Sequence, residues 1–422
     1  MKDSDSDMDS DGTIEMDEDE LLPQDETLNE LPPVRSAMVV MALMIQGYTL
    51  IGPLQHDLKS AIHITDKGAA SEVFIQAAAC VQWGKFVMTL GQNIVLARFD
   101  TITRVYISMA LMTVGCVIPP LFVFGFQASW LGTVFISYAT IGFALGIFEP
   151  CFMSAIVPLG HLTKSWAIMG FPAAFGFVNI VGRILVAEGM PVQVLFWYIA
   201  LGVPVSAYLF YRIAPSTSNI TASGPAKSHA QAGIRASLRD WRTWLVRMIP
   251  FMLVNIVNHF VMESVMPAMF NAYNSKQVPM FGRYDNQNLM DKNMYFVVLA
   301  IFTMAGDMIS RRVGYCFALN TYYSNFCALT YAVFCSCLGL YLTTRGIAIV
   351  GWFSVFLAFW GAGFIYSVTA KYIDNFVPKE HNLAAYSLWM FVGYAGAIAG
   401  SVLVTPVKES ICQGASYEHM CL

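Results

Sequence analysis

The chain has 422 residues, of which 56% are hydrophobic and 12% are charged, and its mean hydropathy is +0.55. A soluble globular domain carries about twice that share of charge, so a soluble reading is excluded. The net charge of −4 conceals an asymmetry: residues 1–35 hold 13 of the 28 acids against two bases, Lys2 and Arg35.

The opening stretch, "MKDSDSDMDSDGTIEMDEDE", has almost no large apolar residue and repels itself. Residues 1–35 are therefore expected to be a disordered acidic tail. With no basic segment followed by an apolar one, the stretch is not a signal peptide. Within it, Asp17 stands at the spacing of an acidic dileucine sorting signal from Leu21 and Leu22, where a sorting adaptor would read it.

Eleven apolar segments follow, each near the ~20 residues a helix needs to cross a bilayer. They are 36–54, 71–97, 102–124, 129–157, 164–186, 191–213, 244–267, 293–313, 316–342, 347–371 and 383–406. The predicted fold class is all-α, a polytopic membrane protein in a 6 + 5 arrangement. Residues 36–213 form an N-terminal six-helix bundle, 214–243 a cytoplasmic linker, 244–406 a C-terminal five-helix bundle and 407–422 a short tail. The linker is rich in Ser, Ala and Gly and ends in bases. With the N-terminus cytoplasmic, 14 Lys and Arg fall on the cytoplasmic side and 7 on the other. The positive-inside rule therefore favours a cytoplasmic N-terminus and a lumenal C-terminus. In that orientation the acceptor-like Asn219-Ile-Thr221 stays unglycosylated. Cys412 and Cys421 reach the lumen, where a disulfide between them is open to them.

This arrangement is that of a major-facilitator-type transporter lacking its last helix. Such folds hold substrate at the midplane between two halves, on helices broken by Gly and Pro. Gly52-Pro53, Pro119-Pro120, Gly146 to Pro150, Gly170 to Pro172 and Gly361 to Gly363 are candidate breaks. The same residues also serve close helix packing.

A charge at the bilayer centre costs on the order of 3 kcal/mol on insertion scales, so each one at depth is a candidate site. Glu149 precedes Pro150 in "LGIFEPCF". Asn255, His259 and Glu263 recur every four residues and share one helix face. A His–Glu pair lowers the cost of burying both by sharing a proton, and histidine titrates near the pH that separates an acidic lumen from cytosol. Asp307 and Arg311 are spaced for an ion pair within one helix. Lys85 lies mid-span, whereas Arg183 is placed to snorkel to an interface. Glu149, His259, Glu263, Lys85, Asn255, Asp307 and Arg311 are thus the candidate substrate and proton pathway. Phe356 and Trp360 are spaced to line a cavity or to face lipid.

No GxSxG, HExxH or phosphate-binding loop occurs, so an enzyme is not expected. The nine cysteines form no CxxC pair, and neither a metal nor a cofactor is implied. Nucleic acid is not an expected partner. The expected partners are a small-molecule solute, protons and the lipid bilayer.

Several segments resemble the battenin family of lysosomal and vacuolar membrane proteins. "PLQHDLKSAI" places His56-Asp57 after the first span. Residues 145–182 keep Leu145, Gly146, Pro158, Ser165, Trp166 and Gly170 in step. "AGDMISRR" matches at Ala305, Gly306, Ser310 and Arg311. Residues 366–412 match most fully, at Tyr366, Thr369, Glu380-His381, Ala384, Gly396, Ser401, Pro406 and Cys412. The resemblance implies an endolysosomal or vacuolar transporter or homeostasis protein. Its implied roles are in lysosomal pH, basic amino acid pools and glycerophosphodiester handling. Departures are visible: the acid is displaced to Glu149, Asn258 stands where the family has an acid, and Glu263 where it usually has Gln. The terminal "HMCL" is not a prenylation box. Equilibrative nucleoside transporters are a second, weaker resemblance, through eleven spans and the Asp307/Arg311 pair. A non-transporting trafficking regulator with a transporter fold is the third reading.

Overall fold

A computed structural model describes residues 32–50, 55–64, 69–128, 130–223, 237, 239, 241–266, 277–281, 287–317, 321–343 and 347–412. The sorting motif at Asp17, Leu21 and Leu22 lies outside the described residues, as do Gly52-Pro53, Cys421 and the side chains of His56, Asp57, Arg183 and Cys412.

The helices, in chain order, are α1 (Ser36–Thr49), α2 (Gln55–Ala61), α3 (Ala69–Val95), α4 (Thr101–Ile118), α5 (Gly132–Ala155), α6 (His161–Ala167), α7 (Gly170–Phe177), α8 (Arg183–Ala187) and α9 (Val192–Ser223). There follow α10 (Trp241–Glu263), α11 (Lys292–Cys316), α12 (Tyr322–Thr343), α13 (Ala348–Phe376) and α14 (Asn382–Cys412). Among the described residues, nine helical segments are long and apolar enough to cross a membrane. The shorter apolar α1 and the 27-residue α3 occupy the first two predicted spans.

One departure from an all-helical chain is a small hairpin, β1 (Gln277–Pro279) against β2 (Leu289–Asp291), antiparallel with Val278 opposite Met290. Its β2 runs straight into α11, whose first turn is capped by Asp291 through Asn293 N at 2.8 Å and Met294 N at 3.3 Å. Such a cap satisfies amide donors that the helix start leaves orphaned.

Two helix groups repeat one packing scheme. In the first, α5 packs against α3 and α4, and α1 packs against α7 and α9. In the second, α13 packs against α11 and α12, and α10 packs against α14. The groups meet where α14 lies against α3 and α5, and α11 against α7. Small residues allow the closest crossings. A Cβ on Gly84 of α3 would meet the Ala139 carbonyl oxygen and the Gly142 Cα of α5 at 2.9 Å, so these backbones touch.

The candidate breaks divide into two kinds. The fifth span is truly interrupted: α6 ends at Ala167, α7 restarts at Gly170, and a π-helical stretch, Val178–Gly182, joins α7 to α8. Pro119-Pro120 opens a second π-helical stretch, Pro119–Gly125. By contrast α5 and α13 run unbroken through Gly146–Pro150 and Gly361–Gly363. There the glycines serve packing: a Cβ on Gly146 would lie 2.6 Å from the Lys85 carbonyl oxygen, and one on Gly363 2.5 Å from Asp307 Oδ1. Pro150 removes one backbone donor inside α5 without ending the helix, in a stretch buried from Ala144 to Ser154.

Candidate functional site

All seven predicted pathway residues converge on one cavity of about 420 Å3 between the two helix groups. Lys85 comes from α3, Glu149 from α5, Asn255, His259 and Glu263 from α10, and Asp307 and Arg311 from α11. Four-residue spacing on α10 turns its three polar side chains inward, away from the lipid-facing Leu253 and Val257.

Glu149 is 5% exposed and is held by two tyrosines. Tyr366 donates its hydroxyl to Oε1 at 3.0 Å and Tyr394 donates to Oε2 at 2.5 Å. Those two rings also carry the neighbouring cations. The Arg311 guanidinium lies 4.2 Å from the Tyr366 centroid and 5.0 Å from that of Phe171. The Lys85 ammonium lies 5.1 Å from the Tyr394 centroid and 3.6 Å from that of Tyr48. A cation over an aromatic face is stabilised by the ring quadrupole, more so when desolvated. Glu149 thus stands between Arg311 and Lys85, linked to each through a tyrosine.

Asp307 and Arg311 form the expected ion pair, Nε to Oδ1 at 2.6 Å and Nη2 to Oδ2 at 3.2 Å. Both residues are buried, each 7% exposed. Arg311 Nη1 is buried and has no hydrogen-bond partner among the described residues. Replacing both members with apolar residues, Asp307→Leu with Arg311→Met, is expected to cost less stability than Asp307→Leu alone. Thermal midpoints of the two variants and the parent in detergent measure this, because removing one partner strands a buried charge.

The His259–Glu263 proton-sharing pair is not formed. Glu263 Oε1 instead accepts from Gln82 Nε2 at 3.0 Å and from the Tyr48 hydroxyl at 3.5 Å. His259 packs edge-on to Tyr394, with centroids 5.8 Å apart, and its ring nitrogens make no hydrogen bond among the described residues. The reason lies in the partners: α1 and α3 bring two neutral donors to Glu263, and Tyr394 and Gly393 of α14 fill the space beside the imidazole. Asn255 turns its amide to the Trp389 carbonyl at 2.9 Å, tying α10 to α14.

Several cavity residues escaped sequence reasoning: Tyr48, Gln82, Phe171, Tyr366, Trp389 and Tyr394. Gln82 had a usable signal, one helical turn before Lys85. Tyr48 and Tyr394 had none, because a tyrosine in an apolar helix reads equally as an interfacial anchor, and Tyr366 stood out only as a matching position in the family resemblance. Phe356 and Trp360 are not among the cavity-lining residues; Phe359 supplies that face of α13 instead.

A second polar cluster joins the two groups beyond Trp389. Lys164 of α6 pairs with Asp374 of α13 at 2.5 Å, each side chain 2% exposed. Tyr315 and Tyr386 donate to the same carboxylate at 2.6 and 3.1 Å, and His161 Nδ1 lies 3.3 Å from the Tyr315 hydroxyl. The sequence reading missed this cluster because Lys164 and Asp374 fall at the ends of predicted spans, where charges are unremarkable.

Among the described residues, no group of three or more His, Cys, Asp or Glu side chains is placed to hold a metal ion. No protein-family model matches the chain, and no curated protein does. Solved structures do match. The human organic anion transporter MFSD10 (TETRAN) superposes with a TM-score of 0.64 at 11% identity, covering 92% of this chain and 97% of that one. The proton:xylose symporter XylE, bound to 6-bromo-6-deoxy-D-glucose, gives 0.67 at 11% identity, covering 92% of each. The transporter FucP in its outward conformation gives 0.52 at 16% identity, covering 92% and 95%. All three are transporters, not enzymes, and all belong to one fold family. The chain is a multi-pass membrane protein with the major facilitator superfamily transporter fold.

Proposed function

We propose that this protein is a secondary transporter that moves a small solute through the central cavity by alternating access, with proton coupling. One observation carries the reading: charged residues from α3, α5, α10 and α11 meet in a single cavity between the two helix groups. An apolar midplane would have favoured the non-transporting regulator; the charged lining of this cavity supports transport instead. In the proposed cycle the six helices of residues 36–213 and the five of 244–406 move as two bundles. The Lys164–Asp374 cluster closes the cavity on the predicted cytoplasmic side. Reconstitution into liposomes and uptake of labelled solutes test this directly. Uptake of adenosine that saturates and is competed by other nucleosides would favour the nucleoside-transporter alternative.

The battenin resemblance supports an endolysosomal or vacuolar setting, with roles in lysosomal pH, basic amino acid and glycerophosphodiester handling. Replacing Leu21 and Leu22 by alanine is expected to move the tagged protein to the cell surface; retention in lysosomes would remove the sorting role of the tail.

Glu263 is the residue we assign to proton coupling. It faces Tyr48 on α1, Gln82 and Lys85 on α3 and His259 on its own helix. Glu263→Gln keeps the shape and removes the titration. Uptake by this variant is expected to become independent of the imposed pH gradient, at unchanged expression. Retained pH dependence would move the coupling site elsewhere.

A further inference from the structure

The repeated packing scheme has one member without a counterpart among the described residues. In the first helix group, α9 lies on α1 and α4 and buries Leu195, Phe196, Ile199 and Val203. The corresponding helices of the second group are α10 and α12, and among the described residues no helix lies on that pair. In its place is a groove of about 290 Å3 between α10, α12 and α13. Its lining is almost wholly apolar, with Val257, Val261 and Leu340 among its walls, and Leu253 and Val257 are more than half exposed on its rim. The groove is about twice the ~150 Å3 of an apolar cavity that takes up benzene.

The groove adjoins the central cavity across α10. Asn258 and Met262, one helical turn apart on α10, line both. Methionine is unbranched and adaptable, so Met262 makes this partition deformable. A site of charged and hydrogen-bonding groups therefore adjoins an apolar channel that faces the bilayer.

We propose that groove and cavity form one site for a single-chain amphiphile. Its polar head lies among the charged groups, and its alkyl chain passes Asn258 and Met262 into the groove and reaches lipid between α10 and α12. The chemistry is complementary along the whole length: acids, bases and hydroxyls for the head, and apolar side chains for the chain. This deepens the transport reading and rests on it, since the same cavity would accept the head.

The test uses the full chain in phosphatidylcholine nanodiscs with a lysophosphatidylcholine carrying a diazirine near the end of its chain. Photoadducts are expected on peptides containing residues 253–262 and 333–340. Unlabelled lysophosphatidylcholine should displace them and phosphocholine alone should not. Val257→Trp fills the groove from an exposed position and should reduce labelling at least tenfold. Leu201→Trp, on the exposed face of α9, should leave it unchanged. Labelling spread equally over α9 would overturn the proposal, as would labelling that Val257→Trp does not reduce. A Cys337–Cys337 cross-linked dimer in native membranes would assign the groove to a second copy and also overturn it. Uptake of a water-soluble solute by protein that shows no groove adduct would remove the amphiphile site and leave the transport reading standing. Groove adducts on protein that transports nothing would do the reverse.

Discussion

Asp374→Leu is expected to destabilise the protein by about 3–5 kcal/mol, the usual consequence of breaking a buried ion pair from one side. The variant leaves the Lys164 ammonium buried without its counter-charge and removes an acceptor from the hydroxyls of Tyr315 and Tyr386, leaving Tyr386 the Ala370 carbonyl at 2.9 Å and Tyr315 the His161 ring. Lys164 gains some residual support from the Tyr386 face, 4.5 Å from the centroid, which does not replace a carboxylate. A thermal melt in detergent reads the loss, and Asp374→Leu with Lys164→Met should recover most of it. The cluster joins α6 to α13 across the two helix groups, so the double variant also tests closure. Relieved of the latch but folded, it should admit a water-soluble thiol reagent to cysteines introduced at the Trp389 level. A double variant that melts like the single one would mean that the cluster contributes through packing and not through charge.

Glu149→Gln is expected to lower solute uptake by about one to two orders of magnitude and to lower the melt as well, because the same two buried bonds contribute to the fold. Glutamine keeps the shape of the side chain, but only its oxygen still accepts. One of the two tyrosine bonds is lost and the other is no longer charge-assisted. Bonds to a charged group contribute about 1.5–3 kcal/mol each, which corresponds to this range of uptake. The effect spreads because Tyr366 and Tyr394 are shared with Arg311 and Lys85. Releasing either ring frees a cation that the ring had held in place. Tyr366→Phe and Tyr394→Phe separate the two arms, each removing one bond to Glu149 while preserving the ring under the cation. Uptake in Glu149→Gln equal to the parent would take Glu149 out of the solute pathway.

What could be read from the sequence follows from what carries a period or a cost. Long apolar runs announce helices, and charges within them stand out because burial is expensive. For this reason Lys85, Glu149 and the α10 triad are all legible in the sequence. The partners of those charges were not visible. Glu263 meets Tyr48 and Gln82 from helices more than 180 residues away in the chain, and no local pattern encodes that pairing. The His259–Glu263 pair shows the error a local rule invites. Four-residue spacing puts two groups on one face, yet tertiary donors decided which bonds formed. The glycines of α13 show the opposite error. Gly361 and Gly363 looked like a break, but they let α12 and α11 approach an unbroken helix.

The hairpin has a mechanical consequence. Val278 and Met280 are buried with Met266 beyond α10, Tyr295 and Leu299 at the start of α11, and Ala348 and Val355 at the start of α13. The Ile349 amide donates to the Met280 carbonyl at 3.1 Å, which fastens the loop to α13 itself. Three helix ends are therefore splinted together on this face of the membrane, at the end opposite the Lys164–Asp374 cluster. A load applied to any one of them is shared by the others. A fluorophore on the hairpin would thus report the tilt of the whole assembly and not the wandering of a loose loop.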